Sequence, residues 1–324
     1  MNTTLIRKIR TVALASAALV AVLSTTACGG QSLSGNDDAA AADPSAFSAA
    51  PAPTEDLAAQ TIDAIKPDAE LTKLLPDAVR SKGLRMTTSE GYPPMELFAK
   101  DGKTLIGVDP SLGRAIANRL GVTISIKNED FNAQIPGITT GRYDIIMSSM
   151  TDNAERRETV SFVDYVQAGN GWVVKKGNPE GMGDPDTACG KTVAVVDNGS
   201  SLALAEQFNK DCKAAGKGKV EILKFTGDQD AILQVRNGRA DAGINDYPVA
   251  AYRAQSSKDV LDAVAIPGDE SVWGIAMKQD ATDLSAAVQK SLQSLIDDGS
   301  YEKILGAWNV QKMALPTATV NDGK

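Results

Sequence analysis

Ile135 is followed by Gly141, Arg142 and Asp144, and Ile232 is followed at the same spacing by Gly238, Arg239 and Asp241, an offset of 97 residues. Each copy reads as a helix, a Gly-Arg turn and a short apolar strand. A strand-and-helix unit that occurs twice, each copy needing its own sheet, points to two lobes built alike. Around the first copy the chain alternates in the same manner. Residues 84–88 predict a strand and Gly91-Tyr92-Pro93-Pro94 a turn. Leu112, Ile116 and Leu120 share one face of a helix over 109–120 that stops at Gly121. A strand over 122–126, a helix over 133–140 and a strand over 144–148 follow. This βαβα order predicts an α/β fold, each lobe a mostly parallel sheet flanked by helices. Gly171–Gly177 and Trp273–Lys278 are apolar segments flanked by glycine and predict the two crossings of a hinge. An amphipathic helix over 284–296 and a last helix through Trp308 are expected back on the first lobe. The lobes are then 72–170 with 272–324, and 171–271.

The strand of the first copy ends in hydroxyls, Ser148, Ser149 and Thr151, and runs into a short helix with Arg156 and Arg157. Hydroxyls and a guanidinium beyond the carboxyl end of a buried strand are where open α/β sheets hold small ligands. The competing reading is a polar surface loop. The repeat aligns Ser149 with Asp246, so that two strand ends face each other across a cleft.

The 324 residues carry a net charge of −8 and no histidine. The acidic balance argues against nucleic acid, and the lack of histidine removes Ser-His-Asp and Cys-His nucleophiles and disfavours a transition-metal site. No cofactor is expected. Arg7, Lys8 and Arg10 precede an alanine-rich apolar run over 12–23, which reads as a signal peptide over 1–27. Thr25-Thr26-Ala27-Cys28 resembles a lipoprotein lipobox, cut before Cys28, although Thr25 departs from the usual leucine; simple secretion with a free Cys28 is the alternative. Residues 28–71, rich in Ala, Ser, Pro, Gly and Asp, read as the lipidated cysteine and a disordered tether with a reach on the order of 35 Å. Cys189 and Cys212 remain, and an oxidising location favours their pairing over a redox or metal role.

An ordered set of motifs resembles the family 3 extracellular solute-binding proteins, the polar amino acid receptors of ABC importers. It comprises Tyr92-Pro93-Pro94-Met95, Asp101-Gly102, Gly107-Val108-Asp109, Leu120-Gly121-Val122, Phe131 with Ile135-Pro136-Gly137, Gly141-Arg142-Tyr143-Asp144, Met150-Thr151 with Arg156, Gly238-Arg239-Ala240-Asp241, Asp298-Gly299-Ser300-Tyr301 and Trp308. The resemblance runs from about residue 72 to 310. Val108, Pro110-Ser111 and Ser161 depart from the family pattern at positions that bear on packing. The resemblance implies a two-lobed periplasmic-binding-protein-like fold with a two-strand hinge. It also implies a monomeric, non-enzymatic receptor, lipid-anchored on the extracellular face of the membrane, that delivers its ligand to an ABC permease. A ligand-sensing lipoprotein, or a dehydratase or lytic enzyme on the same fold, is the alternative.

Carried over residue by residue, the resemblance makes Arg156 the grip on the ligand's α-carboxylate, a pairing that suits a planar guanidinium. Arg157 is expected to be solvated. Thr151 and Ser149 would supply a hydroxyl and a backbone carbonyl, and Ser201, at a helix start after Asn198-Gly199-Ser200, would hold the same carboxylate from the second lobe. The bland reading of that turn is a helix cap by Ser200 or Asn198. Asp246 would pair with the α-ammonium, or else cap the helix at Tyr247-Pro248. Tyr92 and Phe131 would wall the ligand, or else pack in the core. Glu90 hints at a cationic ligand side chain, or is simply solvated.

Overall fold

The computed structural model describes residues 52–323. The expected signal peptide, Cys28 and the start of the tether lie outside the described residues. No helix among the described residues is long and apolar enough to cross a membrane.

Helices α1 (Ala59–Ala64), α2 (Ala69–Thr72) and α3 (Asp77–Lys82) come first. They correct the tether expected through Leu71. Ala58, Ile62 and Ile65 are buried in the core of the first lobe, and Asp56 pairs with Arg114 at 3.0 Å and accepts from the Ser111 hydroxyl at 2.7 Å. Few apolar residues are needed here, because their i, i+4, i+7 spacing puts them on one face.

The first lobe continues with β1 (Leu84–Thr88), β2 (Leu97–Phe98), β3 (Leu105–Ile106), α4 (Val108–Leu120), β4 (Ile124–Asn128), α5 (Phe131–Thr139), β5 (Ile145–Ile146) and α6 (Ala154–Arg157). β1 pairs in parallel with β4 and β5. Helix α4 lies close on β1 at Gly113, where a Cβ would stand 2.5 Å from the Met86 sulfur. The chain crosses on β6 (Val160–Lys175). The second lobe follows as β7 (Thr192–Val196), α7 (Ser200–Ala214), β8 (Glu221–Phe225), α8 (Asp228–Arg236), β9 (Ala242–Asp246) and α9 (Tyr247–Ser256). It returns on β10 (Leu261–Lys278), after which α10 (Thr282–Asp297) and α11 (Ser300–Ala307) bury Leu292, Leu295, Tyr301 and Ile304 in the first lobe's core.

The fold is the two-lobed α/β arrangement, with mixed sheets. Strand order is β4-β1-β5-β10-β6-β9-β7-β8; β10 runs antiparallel to β5, and β6 antiparallel to β9. The crossing strands are thus members of both lobes' sheets, which local apolar patterns do not reveal. The two segments expected to cross together lie on opposite sides of the hinge. Trp273–Lys278 pairs with lobe 1 residues Val160–Val166, whereas Gly171–Lys175 pairs with Leu261–Ala265. The register shifts between Ala265 and Glu270, where the ladder passes from one lobe to the other.

The repeat is realised in atomic detail. Gly141 and Gly238 turn at φ 73° and 71°, a left-handed conformation that favours glycine. Asp144 accepts the Arg85 amide at 2.8 Å, and Asp241 accepts the Thr192 amide at 2.7 Å. Each aspartate therefore ties its turn to the first strand of its own lobe. Cys189 and Cys212 form a disulfide across 23 residues, closing a loop worth about 3 kcal/mol by chain entropy.

Candidate ligand-binding site

The ends of β1, β5, β7 and β9 meet at one cavity of about 90 Å³ between the lobes, room for several waters or one small solute. All eight residues singled out as ligand contacts, Glu90, Tyr92, Phe131, Ser149, Thr151, Arg156, Ser201 and Asp246, line it.

Arg156 is held by its own loop. Its Nη1 donates to the Thr151 carbonyl at 2.9 Å, its guanidinium carbon lies 5.4 Å from the Phe131 ring centre, and its backbone amide donates to the Asn153 side chain that caps α6. Burial draws its pKa down while Asp246 across the cavity raises it; an arginine remains charged throughout. Nη2 reaches the Asn198 carbonyl of the other lobe at 3.1 Å. Phe131 is therefore a wall against the arginine and also packs, half-buried, against a small core cluster.

Asp246 stands at the N-cap position of α9, yet makes no side-chain cap bond there. Its Oδ2 instead accepts from the Tyr92 hydroxyl at 2.5 Å, and burial together with Asp246 and Asp228 pushes the Tyr92 phenol well above its ordinary value. The start of α7 is similar. Gly199 is the N-cap and no side chain caps it, so neither Ser200 nor Asn198 takes that part. The first turn of a fifteen-residue helix, with buried Ser201, is aimed at the cavity, and its amides and dipole favour an anion there. Glu90 is exposed at the lining.

Ser149 has φ 48°, a strained value for a non-glycine residue. Its amide donates to Asp109 at 2.8 Å and its hydroxyl to Glu96 at 3.2 Å. The hydroxyl is thus committed to these acids, leaving the backbone to face the cavity. Glu96 and Asp109 were missed by sequence reasoning. Both are buried; burial, with Asp109 beside it, pushes Glu96 well above its ordinary value, and burial pushes Asp109 up to about 6.

Among the other lining residues, Asp228 and Asn245 were also missed. The 97-residue offset would have found them, since it carries Phe131 to Asp228 and Ser148 to Asn245, as it carries Ser149 to Asp246. Asp228 pairs with Arg253 at 2.8 Å and accepts from the Asn245 amide. Arg253 also donates to the Gly91 carbonyl at 2.5 Å, and Tyr92 donates to Asn245 as well as to Asp246. A closed ring of bonds, Gly91–Arg253–Asp228–Asn245–Tyr92, thereby joins the lobes on one side of the cavity.

A family model described as bacterial extracellular solute-binding proteins, family 3, matches residues 84–311. The chain belongs to this family. Among similar proteins, the arginine-binding protein ArgT of Corynebacterium glutamicum is 33% identical over 260 residues, 79% of this chain and 84% of its own length. Two solved structures of an ancestral arginine-binding protein, one bound to glutamine and one to arginine, are each 32% identical with a TM-score of 0.63. They cover 70% and 69% of this chain and 97% of their own. These relatives are binding proteins, in keeping with a non-enzymatic role, and family membership indicates an extracytoplasmic solute-binding protein.

Proposed function

We propose that this solute-binding protein captures a cationic amino acid of the arginine class between its lobes and passes it to an ABC permease, while held to the outer face of the membrane through Cys28. The charge inventory of the cavity supports the ligand class. Asp228 is offset by Arg253 and burial beside Asp109 disfavours the charged form of Glu96, which leaves Arg156, Asp246 and Glu90 as the charges facing a solute. One positive and two negative groups complement a solute with one carboxylate and two cationic groups. In this reading Arg156 and the start of α7 hold the α-carboxylate, Asp246 the α-ammonium, and Glu90 the distal cation. The two poles come from different lobes, so binding favours closure about the hinge. The arginine-binding relatives point to the same class.

A thermal-shift series on ligand-stripped protein tests this with L-arginine, L-lysine, L-ornithine, L-glutamine and L-glutamate. A ligand at ~100 times its Kd adds about 2.7 kcal/mol, and the cationic three are expected to raise Tm most. Stabilisation led by L-glutamine or L-glutamate would sink the assignment. For the anchor, Cys28→Ala is expected to release the protein from the membrane fraction into the medium; retention of the variant on membranes removes that part of the reading.

A further inference from the structure

We propose that Leu315–Gly323 is a strap that presets Arg156 for the ligand carboxylate, acting through Asp152 and Arg157 as positioning residues. It rests on the reading of Arg156 as the carboxylate grip. The strap lies beyond the family-matched residues, which end at 311, and no residue of it lines the cavity.

In the first lobe β6 has β10 on one side, and the strap takes the other. The Asp164 amide donates to the Thr319 carbonyl at 3.0 Å and the Asn321 amide to the Phe162 carbonyl at 3.2 Å. The Phe162 amide donates to the Asn321 side chain at 2.8 Å, and Val320 bridges Val163. Thr319 Oγ1 donates to the buried Asp164 at 2.7 Å. Ser161, one of the positions that depart from the family pattern, contacts Asn321 at 3.3 Å.

The end of the strap grips the arginine loop twice. The Gly323 amide donates to Asp152 Oδ2 at 2.9 Å. The Gly323 and Asn321 carbonyls accept from Arg157 Nη1 at 2.7 and 3.2 Å. The same Nη1 lies 3.2 Å from Asp152 Oδ1. The contact is tight, since a Cβ on Gly323 would fall 2.0 Å from the Asp152 carbonyl oxygen. Arg157, expected to be solvated, has a side chain only 23% exposed, and that of Asp152 is fully covered. Asp152 and Arg157 bracket the loop, and Arg156 sits between them. Helix α6 has four residues, too few to hold a conformation unaided. Without the strap, ordering this loop becomes a cost of binding.

The test compares L-arginine with agmatine, which is arginine without its α-carboxylate, by calorimetry at a temperature where all variants are folded. The variants are a chain ended at Leu315, Arg157→Ala, and Arg157→Lys, whose ammonium can supply three donors. The intact protein is expected to prefer L-arginine. Truncation and Arg157→Ala should each weaken L-arginine about tenfold (~1.4 kcal/mol) and leave agmatine unchanged, with Arg157→Lys close to the parent. Equal losses for both ligands, or no loss for either, overturn the strap alone. An intact protein with no preference for L-arginine over agmatine overturns the carboxylate role of Arg156, and the strap with it.

Discussion

The two copies of the helix, Gly-Arg turn and strand unit share a frame and differ at the positions that face the cavity. In both, glycine turns in the left-handed region and an aspartate ties the turn to the lobe's first strand at 2.8 or 2.7 Å. At the three equivalent cavity positions the first lobe places Phe131, Ser148 and Ser149, and the second places Asp228, Asn245 and Asp246. The frame locates side chains and is indifferent to their chemistry. One lobe accordingly supplies a ring and two serines beside Arg156, and the other supplies acids and an amide. The lobes also handle buried charge differently. Beneath Ser149 two buried carboxyls share a site, and burial pushes the pKa of each upward, whereas Asp228 is balanced by Arg253.

The largest effect is expected where the second lobe's balance is broken. Arg253→Met leaves Asp228 buried without its cation and should cost about 3–5 kcal/mol of stability, read by urea denaturation. A change below 1 kcal/mol would show that the pair does not offset its own burial. Arg156→Ala should weaken L-arginine by roughly 2–5 kcal/mol in calorimetry, the cost of removing one partner of a buried charge pair; unchanged affinity removes it from the site. Asp246→Ser gives the second lobe the first lobe's residue at this position and should weaken the same ligand by about 1.5–3 kcal/mol, the range for hydrogen bonds to charged groups. If affinity survives, the difference between the lobes at this position is not what polarises the cavity.

The smallest effect is that of pH. Asp109, pushed up to about 6 by burial, binds its proton more tightly in the folded protein than in the unfolded chain. Its contribution to stability is full below its ordinary value of 3.8 and is lost as pH rises through about 6. Asp164 follows the same sign, pushed up to about 6 by burial and by neighbouring Asp152. Urea midpoints should therefore be higher at pH 5 than at pH 7, and Asp109→Asn should flatten the difference more than any substitution at Asp241. An unaltered slope in Asp109→Asn would place the titration elsewhere.

Much of this molecule is local enough to be legible in the sequence. Apolar spacing marks β1, α4 and α10, the offset of 97 marks the twin frames, and two cysteines in an oxidising location mark the disulfide. Strand ends in a parallel sheet point where ligands bind, which marked the Ser148–Arg156 stretch, while the resemblance to the family singled out most of the eight residues that line the cavity. Other features have no local signature. That β6 and β10 belong to both sheets depends on pairing between residues about a hundred positions apart. The burial of Glu96 and Asp109 under Ser149 depends on which segments meet, since an isolated carboxylate reads as a surface charge. For the same reason Arg157 resembles a solvated residue until Gly323 and Asn321 arrive beside it. The sequence by itself determined the frame and which residues stand at the strand ends, because these follow from spacing and turn geometry, and the resemblance to the family supplied the expected poles. Only the tertiary structure decided which charges remain to face a solute, because desolvation and pairing are properties of neighbours that the chain brings together when it folds.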